Sequence, residues 1–403
     1  MTLRGRLRQA FHPRPHFLPD NEIWLLCNGA DYFRALLADI DNARETIRLE
    51  TYLYADDSIG DALTQALCRA AARGVDVRIV VDGFGARNLD QRHRSPLESA
   101  GVQIRVFRPE RELLRHLISL KRARLRRMHR KLALIDGRSA FAGGINIIDD
   151  ATGNTDSVRL DFAVRIRGPL IEPIGHAIDR QWLMLTRFGS ILRKRYTKPL
   201  PTTLHVAPTG DRLAALVLRD NLLHRRAIEY AYLLAIRQAH EQITLAMAYF
   251  IPSQKILTEL LEASQRGVRV TLLLQGRVEY RLQHYAAQAL YATLLTHGIR
   301  IFEYRPGFMH AKAAVIDGIW STVGSANLDP FSLLVAREAN IVIRDQPFAA
   351  TLQSQLDLAI STHSREITLD VWQKKPKLHH LLRGACALLL YRALRLTGYA
   401  DTY

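Results

Sequence analysis

Two stretches of the chain carry the same four chemically active side chains at the same spacing. In each stretch a lysine lies two residues after a histidine, an aspartate five residues after the lysine, and an asparagine ten residues after the aspartate. An imidazole can attack or transfer a proton, an ammonium group neutralises negative charge, and an amide donates hydrogen bonds to oxygen. This combination suits a phosphodiester group. The residues are His129, Lys131, Asp136 and Asn146 in the first stretch and His310, Lys312, Asp317 and Asn327 in the second.

The histidine and lysine of each stretch are expected to act on the same side of the chain. Residues two apart in an extended strand point the same way, so His129 and Lys131 should project together, as should His310 and Lys312. Each stretch by itself supplies only one imidazole. Two stretches that face each other would provide one histidine to attack a phosphorus atom and another to protonate the leaving oxygen.

The residues just before each asparagine favour a close approach of the backbone to a ligand. Gly144 precedes Asn146 by two residues, and Ser325 holds the corresponding place before Asn327. We therefore predict that Gly144, Asn146, Ser325 and Asn327 bind the substrate phosphate.

Two other interpretations of the histidines were weighed against this one. Phosphoryl transfer commonly relies on Mg²⁺ for charge neutralisation, but two lysines can neutralise the charge here, so we expect no metal and no cofactor. A metal site is disfavoured because each His-x-Lys unit combines one ligand with one repelling cation. Structural histidines buried in strands are the other alternative, and the matched recurrence of lysine, aspartate and asparagine argues against it.

The segments that surround the two stretches also recur. In the first half the pattern predicts strands over 47–54, 75–81 and 102–107, with a helix over 59–73 that stops at Gly74. In the second half it predicts strands over 241–251, 268–274 and 299–302, with a helix over 256–266 before Gly267. Shorter strands are predicted over 139–142 and 321–323. This duplication predicts an α/β fold of two similar mixed-sheet lobes.

The composition describes a globular protein of two domains that needs an anionic partner. Hydrophobic residues make up 48% of the 403-residue chain, enough for a sizeable core in each of two domains. The formal net charge of +17 favours nucleic acid or anionic lipid as a partner, and charge alone does not separate them. The three cysteines, Cys27, Cys68 and Cys386, form no disulfide framework, which favours a reducing compartment.

Two prolines, Pro199 and Pro201, interrupt the periodic pattern and indicate the boundary between the lobes. The predicted organisation is a basic N-terminal segment over 1–20, a first lobe over 21–198, a second lobe over 199–370 and an amphipathic tail over 371–403.

The sequence also bears on contact with a membrane. The N-terminus lacks the apolar core of a secretory signal, and no window is long and apolar enough for a spanning helix. Residues 111–130 interleave basic and apolar side chains, which fits either a solvated face or a surface lying on anionic lipid. The tail over 381–396 fits an interfacial helix whose arginines reach headgroups, or a docked core helix; the basic flanks favour the former.

The paired motifs resemble those of the phospholipase D superfamily, His-x-Lys-x(4)-Asp-x(6)-Gly-(Gly/Ser)-x-Asn, over roughly residues 21–344. Within that superfamily the chain is similar to the bacterial cardiolipin synthases of the B type, on residues 127–131, 143–146, 161–166 and 323–330. The lack of two N-terminal spanning helices fits the B type better than the A type. The resemblance implies a bilobal phospholipase D fold, one active site at the pseudo-twofold interface and a covalent phosphatidyl-histidine intermediate.

The resemblance also implies roles for individual residues. His129 would be the nucleophile and His310 the general acid and base, while Lys131, Lys312 and the two asparagines would hold the phosphate. Asp136 and Asp317 belong to the same catalytic motifs, and we expect them to act as turn and salt-bridge residues within them.

Two acidic residues outside the motifs complete the expected site. Asp161 and Glu338 match acidic residues that hydrogen-bond the histidines and so determine their tautomer and orientation. Ala336 and Arg337 depart from the family pattern, in which an asparagine and an apolar residue often precede this glutamate. We expect that departure to affect the surroundings of the second histidine.

The activity implied by the resemblance is the synthesis of cardiolipin by phosphatidyl transfer between two phospholipids. The expected partners are anionic phospholipids and a membrane surface, without nucleic acid, at the cytoplasmic face of the bacterial inner membrane. One alternative is a phosphodiesterase or nuclease of the same superfamily, for which a charge of +17 is equally apt. Another is a membrane-binding scaffold with a degenerate site, which the two complete motifs disfavour.

Overall fold

The computed structural model describes residues 14–87, 89–109, 126–149, 159–190, 203–221 and 224–396. The predicted domain boundary at Pro199 and Pro201 lies outside these ranges, as do residues 1–13 of the N-terminal segment. Of the basic segment over 111–130, only residues 126–130 are described.

The described residues of the first half form seven strands and five helices. The strands are β1 (Leu18–Cys27), β2 (Thr46–Thr51), β3 (Asp76–Asp82), β4 (Gln103–Phe107), β5 (Leu132–Ile135), β6 (Ser139–Gly143) and β7 (Phe162–Arg167). The helices are α1 (Asn28–Asn42), α2 (Ser58–Ala72), α3 (Leu89–Arg92), α4 (Arg94–Ser99) and α5 (Ile171–Ser190).

The second half repeats this order and adds elements at its end. Its strands are β8 (Arg212–Arg219), β9 (Gln242–Met247), β10 (Arg269–Gln275), β11 (Arg300–Tyr304), β12 (Lys312–Ile316), β13 (Trp320–Gly324), β14 (Glu338–Arg344) and β15 (Ser364–Ile367). Its helices are α6 (Ala227–Arg237), α7 (Gln254–Gln265), α8 (Arg281–Gln288), α9 (Tyr291–Thr296), α10 (Gln346–His363), α11 (Leu369–Gln373) and α12 (Lys377–Leu396), with a π-helix at Phe331–Val335.

The strands of the described ranges join into one fifteen-stranded sheet with a pseudo-twofold axis at its centre. The order is β15-β11-β10-β9-β12-β13-β14-β8-β1-β7-β6-β5-β2-β3-β4, so the two halves run outward in the same sequence from the antiparallel β8–β1 junction. The pairs β2–β3 and β3–β4 of the first half, like β9–β10 and β10–β11 of the second, are parallel. The pairs nearer the centre are antiparallel, as is the edge pair β11–β15. This confirms the predicted mixed α/β fold of two similar lobes.

Local sequence signals account for the matching helices of the two lobes. The Asp57 side chain caps α2 by accepting from the backbone N–H of Gly60, and Ser253 caps α7 by accepting from that of Ile256. Beyond the C-terminus of each helix lies a glycine with positive φ, at +89° for Gly74 and +91° for Gly267. The predicted helices and their glycine stops are therefore confirmed.

Three large hydrophobic clusters contain most of the buried apolar side chains in the described part of the chain. One lies within the first lobe and one within the second. The third spans the two lobes and packs apolar side chains of β5, β6 and β7 with those of β12, β13 and β14, beneath α5 and α10. Because this shared core lies behind the motif strands of both lobes, it brings the two motifs together.

The C-terminal helix α12 docks on the second lobe. Arg383 is only 5% exposed and donates to the Gln288 side chain of α8 at 2.6 Å. The prediction that the tail arginines reach lipid headgroups is therefore wrong for Arg383, because its guanidinium is buried against protein. In the described part of the chain no helix is long and apolar enough to cross a bilayer.

Candidate active site

The backbone of each motif histidine pairs with a segment of the opposite lobe. The backbone N–H of His129 donates to the carbonyl of Arg337 at 2.9 Å, and that of His310 donates to the carbonyl of Leu160 at 2.8 Å. β5 begins at Leu132, so the prediction that His129 and Lys131 lie within a regular strand is wrong in that detail. The physical reason is that the backbone pairs with the other lobe here instead of its own sheet.

The histidine and lysine of the first motif project to the same side, as predicted. The imidazole of His129 lies 4.9 Å from the ring of Tyr52, measured between centroids, and Lys131 Nζ lies 5.5 Å from the same ring. Lys131 Nζ also donates to the carbonyl of His129 at 2.8 Å, and Lys312 donates to the carbonyl of His310 in the same way.

The acidic partner of each histidine comes from the other lobe. His129 Nδ1 lies 3.1 Å from Oε1 of Glu338, and His310 Nδ1 lies 2.7 Å from Oδ2 of Asp161. The expectation that the departure beside Glu338 affects the second histidine is therefore wrong, because Glu338 partners the first. In both pairs Nδ1 is taken up by the carboxylate, so Nε2 is the nitrogen left to react.

Burial and the neighbouring charges distinguish the two pairs. Burial by itself raises the pKa of Glu338, but His129, Lys131 and the Ser325 hydroxyl bring it below its usual range. Burial raises the pKa of Asp161 to about 6 in spite of Lys312. Burial lowers the pKa of His129, and burial together with Lys312 and Arg159 lowers that of His310 well below its usual range. In the unliganded site both imidazoles are thus favoured as neutral bases.

The two lysines form a buried cationic centre. Lys131 is 3% exposed and Lys312 is 1% exposed. Burial lowers the pKa of Lys131 to about 7 and that of Lys312 to about 8, because an ammonium group loses its hydration there. An anion placed between them would favour the charged form of both.

The two motif asparagines occupy equivalent positions with the same orientation. Asn146 Oδ1 accepts from the backbone N–H of Leu53 at 3.3 Å, and Asn327 Oδ1 accepts from that of Tyr249 at 3.2 Å. Since the oxygen faces the backbone, the NH₂ group is the end of each amide that can donate to a ligand.

Gly144 and Ser325 support the acidic residues, contrary to the prediction that they bind substrate phosphate. A Cβ atom on Gly144 would lie 2.2 Å from Asp161 Oδ1, so the absence of a side chain makes room for that carboxylate. The Ser325 hydroxyl donates to Glu338 Oε2 at 2.5 Å. Their backbone N–H groups donate to Phe162 and Ala339 carbonyls. Both are therefore unavailable to a phosphate in this arrangement.

Asp136 and Asp317 lie away from the histidines, at turns with positive φ of 50° and 51°. Each carboxylate accepts from three consecutive backbone N–H groups at the start of a strand: Arg44, Glu45 and Thr46 for Asp136, and His240, Glu241 and Gln242 for Asp317. Both aspartates act as structural turn residues. Their inclusion among the catalytic residues of the two motifs is therefore corrected. Backbone amides, instead of the expected salt-bridge partners, take up their charge in the described structure.

Comparison with known proteins identifies the family of this chain. The profile described as cardiolipin synthase, phospholipase D-like domain, matches residues 36–173 and 232–359, one match in each lobe. The chain belongs to this family. It is 36% identical over 348 residues to cardiolipin synthase B of Escherichia coli K12, covering 86% of this chain and 82% of that protein. It is 29% identical to cardiolipin synthase A of Proteus mirabilis, covering 91% and 74%.

The fold of this family member is also found in a solved structure. Phosphatidylserine synthase of Haemophilus influenzae superposes with a TM-score of 0.69 at 12% identity, covering 99% of this chain and 98% of that chain. At this low identity the likeness concerns the fold. It agrees with the pseudo-twofold arrangement of two lobes described above.

A buried polar cluster next to His129 was not predicted from the sequence. Arg130 NH2 lies 2.9 Å from Glu50 Oε2 and 3.3 Å from Gln181 Oε1, and Arg337 of the second lobe also donates to Gln181. In the second lobe, Ala246 and Ala311 stand where Glu50 and Arg130 stand in the first. This difference between the two copies, with charged residues in the first and alanines in the second, was the signal that could have revealed it.

Proposed function

We propose that this protein is a cardiolipin synthase that transfers a phosphatidyl group from one phospholipid to the headgroup hydroxyl of another. The observation that carries this proposal is the pair of complete motifs whose histidines each bind a carboxylate of the opposite lobe. One lobe alone has a histidine without its acidic partner. Membership of the cardiolipin synthase family supports the choice of lipid substrates.

In the first step, His129 Nε2 attacks phosphorus and the bond from phosphorus to the leaving headgroup oxygen breaks. Glu338 holds Nδ1 and compensates the positive charge that develops on the imidazole. His310 donates a proton from Nε2 to the leaving alcohol. The products of this step are a phosphatidyl-histidine and, for a phosphatidylglycerol donor, free glycerol.

In the second step, the proton moves in the opposite direction. Neutral His310 removes the proton of the acceptor hydroxyl, whose oxygen forms a bond to phosphorus as the bond to His129 breaks. The acceptor is the glycerol headgroup of a second phosphatidylglycerol. Phosphatidylethanolamine has no free headgroup hydroxyl, so it could serve only as the donor, with ethanolamine as the leaving alcohol. The imidazole of His129 is regenerated at the end of the cycle.

Binding of the substrate phosphate favours the protonated form of His310, which the first step requires. After burial, the cation Lys312 is the largest cause that lowers the pKa of His310. An anionic phosphodiester between Lys131 and Lys312 offsets that positive charge and raises the pKa of the histidine. The lysines, with Asn146 and Asn327, also neutralise and orient the phosphoryl oxygens in the transition state.

The substrates define where the protein would work. We infer that it acts as a peripheral protein on anionic phospholipid at the cytoplasmic face of the bacterial inner membrane, without a nucleic-acid partner. Family membership supports a lipid surface, and the net charge of +17 supports an anionic one.

Product analysis with two histidine variants tests the proposal. Purified protein is given labelled phosphatidylglycerol, and mass spectrometry follows cardiolipin, glycerol and protein-bound phosphatidyl. The wild type should form cardiolipin in EDTA, whereas His129→Ala should form neither product nor adduct. His310→Ala should lose turnover by about a thousandfold or more, since both proton transfers fail. The exposed His363 provides a matched control, and His363→Ala should remain active.

Two results would contradict the proposal. Absence of cardiolipin from every phospholipid pair would exclude the transferase activity. Cleavage of DNA in EDTA, without any lipid product, would assign the site to a nuclease instead. An adduct on His310 with none on His129 would retain the reaction but exchange the two histidine roles.

A further inference from the structure

The helix α12 presents an apolar face to the outside of the molecule. Among the described residues, thirteen large hydrophobic side chains are exposed, and five of them lie on this helix at 50–69% exposure. Their spacing of three, four or seven residues places them along one face. These residues, which we call the leucine face, are Leu378, Leu381, Leu382, Leu388 and Leu389.

The opposite side of α12 is anchored to the second lobe by Arg383. Its Nε donates to the Gln288 side chain at 2.6 Å, and its guanidinium lies 5.2 Å from the ring of Tyr285 and 5.4 Å from that of Trp372. Leu390 is buried on the same side as Arg383. Rotation of the helix that hid the leucine face would expose these contacts, so the outward orientation of the leucines is part of the fold.

The anchored side of α12 also connects it to the active site. Leu390 packs with Ala286 of α8 and with Ile251 and Phe331. The backbone N–H of Ile251 donates to the carbonyl of Leu328 at 2.8 Å, and Leu328 directly follows Asn327 of the second motif. The leucine face is therefore carried by a helix that packs on the loops holding that motif.

Further apolar side chains are exposed on the loop that leads into α8, the helix on which α12 packs. Val278, Tyr280 and Leu282 are 40–57% exposed in the loop and first turn that lead into α8. The ring of Tyr280 lies 6.0 Å from that of Tyr249, whose backbone holds Asn327. Phe84 is 46% exposed on the corresponding loop of the first lobe, beneath the guanidinium of Arg127 at 5.1 Å. Corresponding loops of the two lobes thus expose apolar side chains close to the two motifs, where they would flank the entrance to the histidines.

The charges of α12 indicate what covers its leucine face. Residues 377–396 contain four basic side chains and no acidic one. Lys377 at the start of the helix and Arg392 near its end are exposed, so basic groups flank the leucines. An apolar helix face with basic flanks matches the boundary between the acyl chains and the headgroups of an anionic leaflet.

We propose that the leucine face of α12 docks on a leaflet of anionic phospholipid and sets the entrance of the active site against that surface. The inference rests on the proposed function for its claim that the leaflet is also the substrate. Lys377 and Arg392 would contact headgroups while the leucines enter the acyl region. Lipid would then reach the histidines from the leaflet, past Tyr280 and Phe84.

Vesicle binding by the full-length protein tests this surface without any need for turnover. Sedimentation with vesicles of phosphatidylglycerol and phosphatidylethanolamine measures the partition coefficient of the wild type and of Leu381→Ser/Leu389→Ser. The partition coefficient of the double variant should be at least about tenfold lower than that of the wild type, because two apolar side chains no longer enter the leaflet. Ile319→Ser/Leu358→Ser removes apolar groups of 54% and 52% exposure from other elements, and it should bind like the wild type.

Additional measurements separate loss of the surface from loss of the fold. Leu381→Met/Leu389→Met keeps the apolar character and should retain binding, and circular dichroism should give the same helix content for all variants. Equal partition of the serine variant and the wild type would overturn the proposal. So would a wild-type dimer that the serine variant converts to monomer with vesicle binding unchanged, since the face would then join two copies. Leucine-dependent binding by a protein that makes no cardiolipin would refute the proposed function alone.

Discussion

His129 and Glu338 form a hydrogen-bonded pair across the two lobes, with Nδ1 3.2 Å from Oε2, although 209 residues separate them in the chain. The second pair, His310 and Asp161, crosses in the opposite direction. Because each lobe orients the histidine of the other, correct docking of the lobes is a condition for catalysis. These two hydrogen bonds therefore couple the packing of the lobes to the orientation of both imidazoles.

Because each histidine is held by a carboxylate of the other lobe, kcat should depend equally on Glu338 and on Asp161. Glu338→Gln and Asp161→Asn should each lower kcat by about a hundredfold or more, because an amide does not compensate an imidazolium charge and allows the wrong tautomer. Steady-state kinetics on phosphatidylglycerol measures this. Glu366→Gln, which alters an exposed ion pair with Arg300, is the control and should leave kcat unchanged. Full activity of Glu338→Gln would contradict the assigned role.

Gly144 is predicted to tolerate no side chain. In Gly144→Ala the new Cβ would lie 2.2 Å from Asp161 Oδ1, so the carboxylate must move away from His310. We expect a loss of kcat of about a hundredfold, comparable to that of Asp161→Asn. Gly384→Ala is the control, since nothing lies within 4 Å of its added Cβ. A Gly144→Ala enzyme with wild-type kcat would show that the Asp161 position is not critical.

Substrate binding should weaken as the pH rises through the pKa values of the two lysines. Burial lowers these to about 7 for Lys131 and about 8 for Lys312, and only the charged forms attract phosphate. Bound phosphate favours protonation, so KM should be lowest below pH 7 and rise by about tenfold or more between pH 7 and 9. Lys131→Met should have a high KM with a shallower pH profile. A KM independent of pH in the wild type would contradict this prediction.

Loss of Asp317 should reduce stability and spare the chemistry. Asp317→Ala removes the acceptor of three backbone N–H groups, which predicts a decrease of about 1–3 kcal/mol in the free energy of unfolding. Activity of the folded variant at 25 °C should stay within about threefold of the wild type, since the carboxylate lies away from the histidines. Denaturant unfolding and initial rates measure the two quantities. A thousandfold loss of kcat in a folded variant would restore the catalytic role.

The same aspartate predicts the pH dependence of that stability difference. Burial raises the pKa of Asp317, but the three backbone N–H groups outweigh burial and lower it below 3.8. A carboxyl group with a lowered pKa stabilises the fold above its unfolded pKa, and this contribution disappears as pH falls through the folded value. The difference between wild type and Asp317→Ala should therefore be constant near neutral pH and shrink below about pH 4.

Features that depend on neighbouring residues could be predicted from the sequence. The glycine stops at Gly74 and Gly267 and the alternation of the strands act within a few residues, so their patterns predicted the repeated elements. The matched spacing of the two motifs likewise indicated duplication and one shared site.

The partners across the lobes were decided only by tertiary structure. The spacing of His129 and Glu338 along the chain does not say which acid meets which histidine, because either pairing is compatible with two similar lobes. The same holds for Ser325 and Gly144, which the motif assigned to phosphate but the fold assigns to the carboxylates. Arg383 is a third case. The helix pattern predicted exposed arginines, whereas Gln288 and the rings of Tyr285 and Trp372, on other helices, contact this guanidinium inside the protein. Local patterns determine elements and their faces, whereas long-range packing determines which faces and charges meet.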